Sequence, residues 1–293
     1  MAEEFSRSIK NISGVSSHIN FRSAQASDIR FRMEAETVII HSTCDTLYVM
    51  VRDTCLRVGK NSFLLIDPFT PYSVISNPEE AAQTYDLLSF RATTDPWDKS
   101  ACFFFANGTV VIDRSHPSFE RFSQAFANIT GTVSKFPKDS QKPPFHSLLA
   151  LHGYTELLAS VMASELGWHE LPSPVFEAWD IFENSIEFIC ENLGSDLSLD
   201  EISARSGLST FYYSHKYKEI FGNTVMRDVN RMKLYKSVAM LIQSDASISD
   251  IALGCGFGSV ATYCSVFKKF YTFTPMAMRR KKTLLRAHSQ NQG

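Results

Sequence analysis

The sequence predicts an α+β chain of more than one domain: a strand-rich N-terminal region with a helical appendage, followed by an all-helical C-terminal third. Three observations carry that prediction. Short β-branched and aromatic runs lie between Thr37 and Phe90, helical spacing takes over past Pro117, and an internal repeat occupies the last third. At 293 residues, with 44% hydrophobic and 20% charged content, the chain can bury two cores of ordinary size.

The first block reads TVIIHST, TLYVMVR, SFLLIDP, YSVIS and YDLLSF, interrupted by Gly59, Pro68, Pro71 and Pro78. Strands this short, with no helical period between them, favour a small barrel or sandwich over a parallel α/β sheet. Residues 1–116 are assigned to this domain. Two amphipathic helices are expected next, in SFERFSQAFANI and FHSLLALHGYTELLASVMASEL, separated by the polar linker GTVSKFPKDSQKPP. In the second helix Leu148, Leu151, Leu158 and Met162 can share a face that packs on the strands or forms a subunit interface. This appendage spans residues 117–170. Pro172 and Pro174 in HELPSPV then break the pattern, and the helical domain is assigned to residues 176–283.

Charge is distributed unevenly. The chain carries a formal net charge of -2, yet Ser195 to Gly293 holds 14 basic and 7 acidic residues, while the preceding part holds 15 and 24. A basic terminal third points to a polyanionic partner. The six cysteines, at 44, 55, 102, 190, 255 and 264, form no CxxC pair and no His/Cys cluster at zinc spacing, so reduced and mostly buried thiols are expected. Only His41 of the eight histidines falls within the strand-rich core, which argues against a metal triad, a metal enzyme or any bound cofactor. No stretch reaches the roughly 18 apolar residues of a membrane span. MAEEFSRSIK lacks the apolar core of a secretory signal, and a cytosolic chain with no membrane partner is expected.

The repeat is the most informative feature. LSLDEISARSGLSTFYYSHKYKEIFGNT from Leu197 aligns with ASISDIALGCGFGSVATYCSVFKKFYTFT from Ala246, and each copy reads helix, glycine turn, helix. Gly207 and Gly256 give the turn a φ that other residues resist, and Leu208 and Phe257 fill the angle between the helices. Small Ser203 and Ala252 allow close approach, while Ser209, and Gly258 or Ser259, stand where a second helix needs its N-cap. One turn apart, Tyr213 and Tyr217 should face the core, as should Tyr263 and Phe267. That leaves Thr210, Phe211, Ser214 and His215 outward in the first copy, and Ser259, Val260, Thr262 and Ser265 in the second. RDVNRMKLYKSVAMLIQS supplies a connecting helix, and FEAWDIFENSIEFICENL, with Trp179, Phe182, Ile186 and Ile189 on one face, a leading one.

Over roughly Phe176 to Arg280 these residues resemble the DNA-binding domain of the AraC/XylS family of bacterial transcription regulators. The resemblance rests on LSLDEIS, GLS, YKEIFGNT, the IxDIAxxxGF signature at Ile248 to Phe257, FKK at Phe267 and Thr274-Pro275. Lys216 and Asp228 stand where the family usually has an apolar residue and an aromatic, Lys233 replaces its Arg, and Thr272 its Gly. The strand region, through IDPFTPY at Ile66 to Tyr72, looks like the cupin-type barrel many members carry, with Asn61-Ser62 in place of the usual Gly-Asp.

The resemblance implies that two recognition helices enter successive major grooves of promoter DNA, ~34 Å apart. Lys218, Lys268, Lys269 and Arg279 would then neutralise phosphates. Thr210, Ser214 and His215 would hydrogen-bond base edges, Phe211 would contact a thymine methyl, and Ser259, Val260, Thr262 and Ser265 would face the second groove. It also implies an activator acting on RNA polymerase, with a sensor or dimerisation role for the N-terminal domain. Tyr48, Met50, Arg52, Tyr85 and Arg91 are the candidate pocket residues for a small-molecule effector, since strand alternation can aim some of them inward. A competing mode of control, by a protein partner or by oxidation, would use Cys44, Cys55 or Cys102.

Overall fold

The computed structural model describes residues 5–10, 16–26, 30–75, 83–92, 101–105, 108–135, 144–172 and 174–280. Its strands are β1 (Phe5–Lys10), β2 (Ser16–Gln25), β3 (Thr37–Ser42), β4 (Thr46–Val51), β5 (Thr54–Gly59), β6 (Phe63–Ile66), β7 (Tyr72–Ile75), β8 (Thr84–Ala92), β9 (Ala101–Phe105), β10 (Thr109–Ile112) and β11 (Trp168–Pro172). They form a six-stranded sheet in the order β1-β2-β8-β3-β6-β10, a three-stranded sheet β5-β4-β7 and a β11-β9 ladder, with antiparallel pairing throughout.

The period-2 alternation of apolar residues builds the layers. In β3, Ile39 turns to one face of the large sheet with Phe63, Leu65, Leu88 and Phe90, while Val38 and Ile40 turn to the other with Leu64, Ile66 and Leu87. The first face is covered by α1 (Phe119–Val133) and α2 (Phe145–Glu165), through Phe122, Phe126, Ile129, Leu151 and Leu158. The second face packs on Leu47, Val49, Val51, Tyr72 and Val74 of the three-stranded sheet. A two-sheet sandwich with helices on one outer face results. Among the described residues the edges β1 and β10 do not pair, so the closed cupin-like barrel expected from the sequence is replaced by open sheets. Proline punctuation reveals strand length, but closure depends on which edges meet, and no local pattern carries that.

A third layer follows from the same alternation. Tyr48 and Met50 leave the sandwich interior and face the helical C-terminal region, where Met50, Ile75, Phe31 and Ala35 share a core with α3 (Pro174–Glu191) and α6 (Val225–Gln243). The Phe69 ring meets Trp179 in a tilted contact at 5.0 Å, and Phe31 meets Tyr235 in another at 6.4 Å. The start of HELPSPV, where a break was expected, lies in β11, which pairs with β9, Trp168 opposite Phe105, while Pro174 and Val175 open α3. Trp168 is buried against Phe90 and Phe103, which gives that strand its anchor. Among the described residues no helix is long and apolar enough to cross a membrane.

Candidate nucleic-acid interface

The C-terminal region repeats one structural sentence twice around α6. In the first copy α4 (Leu199–Ala204) leads to α5 (Thr210–Phe221); in the second α7 (Ile248–Gly254) leads to α8 (Val260–Tyr271). Each leading helix opens with a capping box. Ser198 Oγ accepts from the Glu201 N–H at 3.3 Å while Glu201 Oε2 accepts from the Ser198 N–H at 2.9 Å, and Ser247 with Asp250 does the same at 3.1 and 3.2 Å. Gly207 and Gly256 take φ of +66° and +70° at the two turns, and Ser209 and Ser259 cap the second helices, so Ser259 rather than Gly258 is the cap. After each second helix the chain turns left-handed, at Gly222 with φ 73° and at Thr272 with φ 66°.

The inward faces of α5 and α8 are aromatic. Tyr213 and Tyr217 are buried against Phe182 of α3, at ring separations of 5.4 and 5.5 Å, and the Tyr213 hydroxyl lies 2.7 Å from Ser185 Oγ. Tyr263 and Phe267 are buried in the second copy, meeting edge to face at 5.6 Å. Holding these faces inward leaves a fixed outward strip on each helix.

On α5 that strip carries Phe211, 83% exposed, with His215 and Lys218 exposed and Ser214 half-buried. Thr210 is different. Its hydroxyl donates to Asp200 Oδ1 at 2.6 Å, which ties α5 back to α4 and makes it a structural contact in this state. Tyr212, 52% exposed, lies on the same strip and was missed; its place one turn before His215 is the signal that could have found it. On α8, Thr262, Ser265, Lys268 and Lys269 are exposed, whereas Val260 is half-buried against the core. Ser259 Oγ is occupied by its cap and by the Thr262 hydroxyl at 2.9 Å. Arg279, half-buried, donates to the Ala246 carbonyl at 2.6 Å, at the entry to the second copy. Exposed cations on α5 and α8 are therefore Lys218, Lys268 and Lys269, while Lys216 pairs with Glu219 at 3.0 Å.

Among the described residues, Tyr48, Met50, Arg52 and Tyr85 do not converge on one site. Tyr48 and Met50 pack toward the helical core and Tyr85 is buried between the two sheets. Arg52 is exposed at the β4–β5 turn with φ 55°, and the side chain of Arg91 lies outside the described residues. Alternation predicts that Tyr48 and Met50 share a face but not which layer that face meets. A cleft of about 340 Å³ does lie at the junction of the two regions, lined by Arg30, Phe31, Glu34, Trp179, Glu187 and neighbours. Glu34 is held there by the Tyr72 hydroxyl at 2.8 Å, and burial pushes its carboxyl above the usual range.

Among the described cysteines all five are free, and Cys190 and Cys255 are buried. Burial pushes the Cys55 thiol up to about 11, which disfavours the reactive thiolate a redox sensor needs, and Cys102 has a side chain outside the described residues. His41 stacks on Phe63 at 4.7 Å with Nδ1 3.3 Å from Asp86, and the described residues contain no group of three metal-ligating side chains.

Two glycine-hinged helix pairs, each with an aromatic inner face and a polar outer one, define a double helix-turn-helix domain. The family described as a helix-turn-helix domain matches residues 202–281. Regulatory protein PocR of Salmonella typhimurium is 31% identical over 99 residues, covering 34% of this chain and 33% of PocR. PqrA of Proteus vulgaris is 34% identical over 92 residues, 31% of this chain and 75% of PqrA. An AraC-type regulator structure from Chromobacterium violaceum matches 36% of this chain and 95% of its own, at 23% identity and a TM-score of 0.35. The chain spans only a third of PocR's length. It belongs to the AraC/XylS family of transcription regulators.

Proposed function

We propose that the chain is a sequence-specific DNA-binding transcription regulator that activates promoters through RNA polymerase. The supporting observation is the pairing of two capped, glycine-turned helices whose outward strips carry polar side chains and cations while their inner faces are locked by buried aromatics. In this reading Phe211, Ser214 and His215 read bases in one major groove, and Thr262 and Ser265 read a second. Lys218, Lys268 and Lys269 contact phosphates. Thr210, Ser259, Val260 and Arg279 serve the modules' own packing, and act at the DNA through position rather than direct contact.

The test is selection of binding sites from random duplexes, followed by mobility shifts. His215→Ala should cost about 1–3 kcal/mol on the selected site and little on scrambled DNA of equal length. Equal losses on both would remove its base-reading role.

Residues 1–116 act as sensor and residues 117–170 as dimerisation segment in this reading, with the helical domain over residues 176–283. The junction cleft beside Trp179 replaces the dispersed pocket residues as the place where a small-molecule effector would be felt. On α2, exposed Phe145, Leu149 and Leu157 recur at multiples of four, a stripe suited to a second copy of the chain. Leu149→Glu should turn a dimer into a monomer by sedimentation, and an unchanged mass would reject that surface.

A further inference from the structure

The two modules touch through their backbones. Gly256, in the turn of the second copy, lies so close to the loop entering the first that an added Cβ would sit 2.5 Å from the Ser195 carbonyl oxygen and 3.0 Å from the Gly194 carbonyl carbon. A Cβ on Gly194 would in turn meet the Gly254 oxygen at 3.2 Å. Close approach of two loops leaves carbonyls facing one another, and such groups need a shared donor. Lys233 of α6 supplies it: its ammonium donates to the Ser195 carbonyl at 2.9 Å and to the Gly256 carbonyl at 2.7 Å, from a side chain only 4% exposed.

An ammonium in this position is not available for phosphate contact, and it faces no partner carboxylate within ion-pair distance among the described residues. Its two acceptors belong to different modules. One precedes α4, the other precedes α8. A compact cation with several donors can bridge both, whereas an apolar side chain of equal length would remove the donor that the two carbonyls share.

We infer that Lys233 is the positioning residue that sets the separation of the two outward helices, and hence the spacing between the two half-sites that one chain reads. The inference rests on the DNA-binding reading for its consequence but not for its geometry, so two measurements separate them. The first needs no DNA. Spin labels introduced through unnatural amino acids at exposed His215 and Ser265 of the full chain report the distance between α5 and α8. The wild-type background should give one narrow distribution, Lys233→Met a broadened or shifted one, and Lys233→Arg should restore the narrow form. An unchanged distribution in folded Lys233→Met overturns the inference.

The second uses the selected duplex with its half-sites moved one or two base pairs apart or together. Wild type should lose about tenfold or more per altered spacing, and Lys233→Met should bind the altered spacings within about threefold of one another, as expected when register is no longer enforced. Retention of the wild-type spacing preference by Lys233→Met overturns the inference. Should Lys233→Met fail to fold by circular dichroism, Gly256→Ala, which wedges the same junction, takes its place under the same two criteria. Failure of wild type to select any duplex would defeat the DNA-binding reading alone, and the spin-label distances would still decide the role of Lys233.

Discussion

Single residues show where the two module copies diverge. Gly222 and Thr272 occupy the same left-handed position after α5 and α8, but only glycine adopts that conformation without cost, because a Cβ crowds the neighbouring carbonyl. Thr272→Gly should therefore raise stability by about 0.5–1 kcal/mol, the relief of strain being partly offset by glycine's larger backbone entropy. Urea denaturation measures it, and a loss of stability would show that the threonine hydroxyl, which donates to the Tyr271 carbonyl, contributes more than the strain costs. Asp228, where the family usually has an aromatic, is accommodated by the Tyr217 hydroxyl at 3.3 Å and by Arg231 at 3.6 Å. These departures alter local contacts and leave the helix ends in place.

Elements form here because their ends are specified. The helix α7 has seven residues, too few to persist alone, so its capping box and its packing on α6 carry it. Ser247→Ala removes the side-chain acceptor of the Asp250 N–H and should cost about 1 kcal/mol, whereas Ser247→Asp, also a good cap, should retain most of it. Equal losses in both variants, read by chemical denaturation, would reject capping as the cause. The glycine at each turn and the serine before each second helix were legible in the residues, while the capping boxes of α4 and α7 emerge from the structure. The TVIIHST run was legible as a strand as well, and the structure adds that Ile39 is buried on one face and Val38 and Ile40 on the other. What alternation could not convey was the partner of each face. Alternation allows Tyr48 and Met50 to point inward as pocket residues, and in the structure they pack toward α3 and α6.

For the molecule as a whole, that misplaced face joins the two regions. Met50 is fully buried in the core that also holds Phe31, Ile75, Trp179 and Tyr235. Met50→Ala should cost about 2–5 kcal/mol, the range for a large buried side chain truncated in a packed core, against roughly 0.5 kcal/mol or less for Arg52→Ala on the exposed turn. If the junction couples the regions, Met50→Ala should also split a single unfolding transition into two, measured by fluorescence and circular dichroism in parallel. A cost as small as that of Arg52→Ala would mean the contact adds little, and each region would then fold by its own core.

The sequence by itself determined the helix-turn-helix repeat, its caps, its glycine hinges and its aromatic inner faces, because each depends on residues within one helical turn of one another. It also placed the strands between Thr37 and Phe90 and the two helices of the appendage, but not β1, β2 or β9 to β11. Only the tertiary structure decided that the sheets stay open among the described residues, that Thr210 and Arg279 make intramolecular contacts, that β4 faces the helical region, and that Lys233 bridges the two modules. Those outcomes depend on which distant surfaces meet, and the free energy of burying one surface against another is a property of the pair, carried by neither stretch of chain alone.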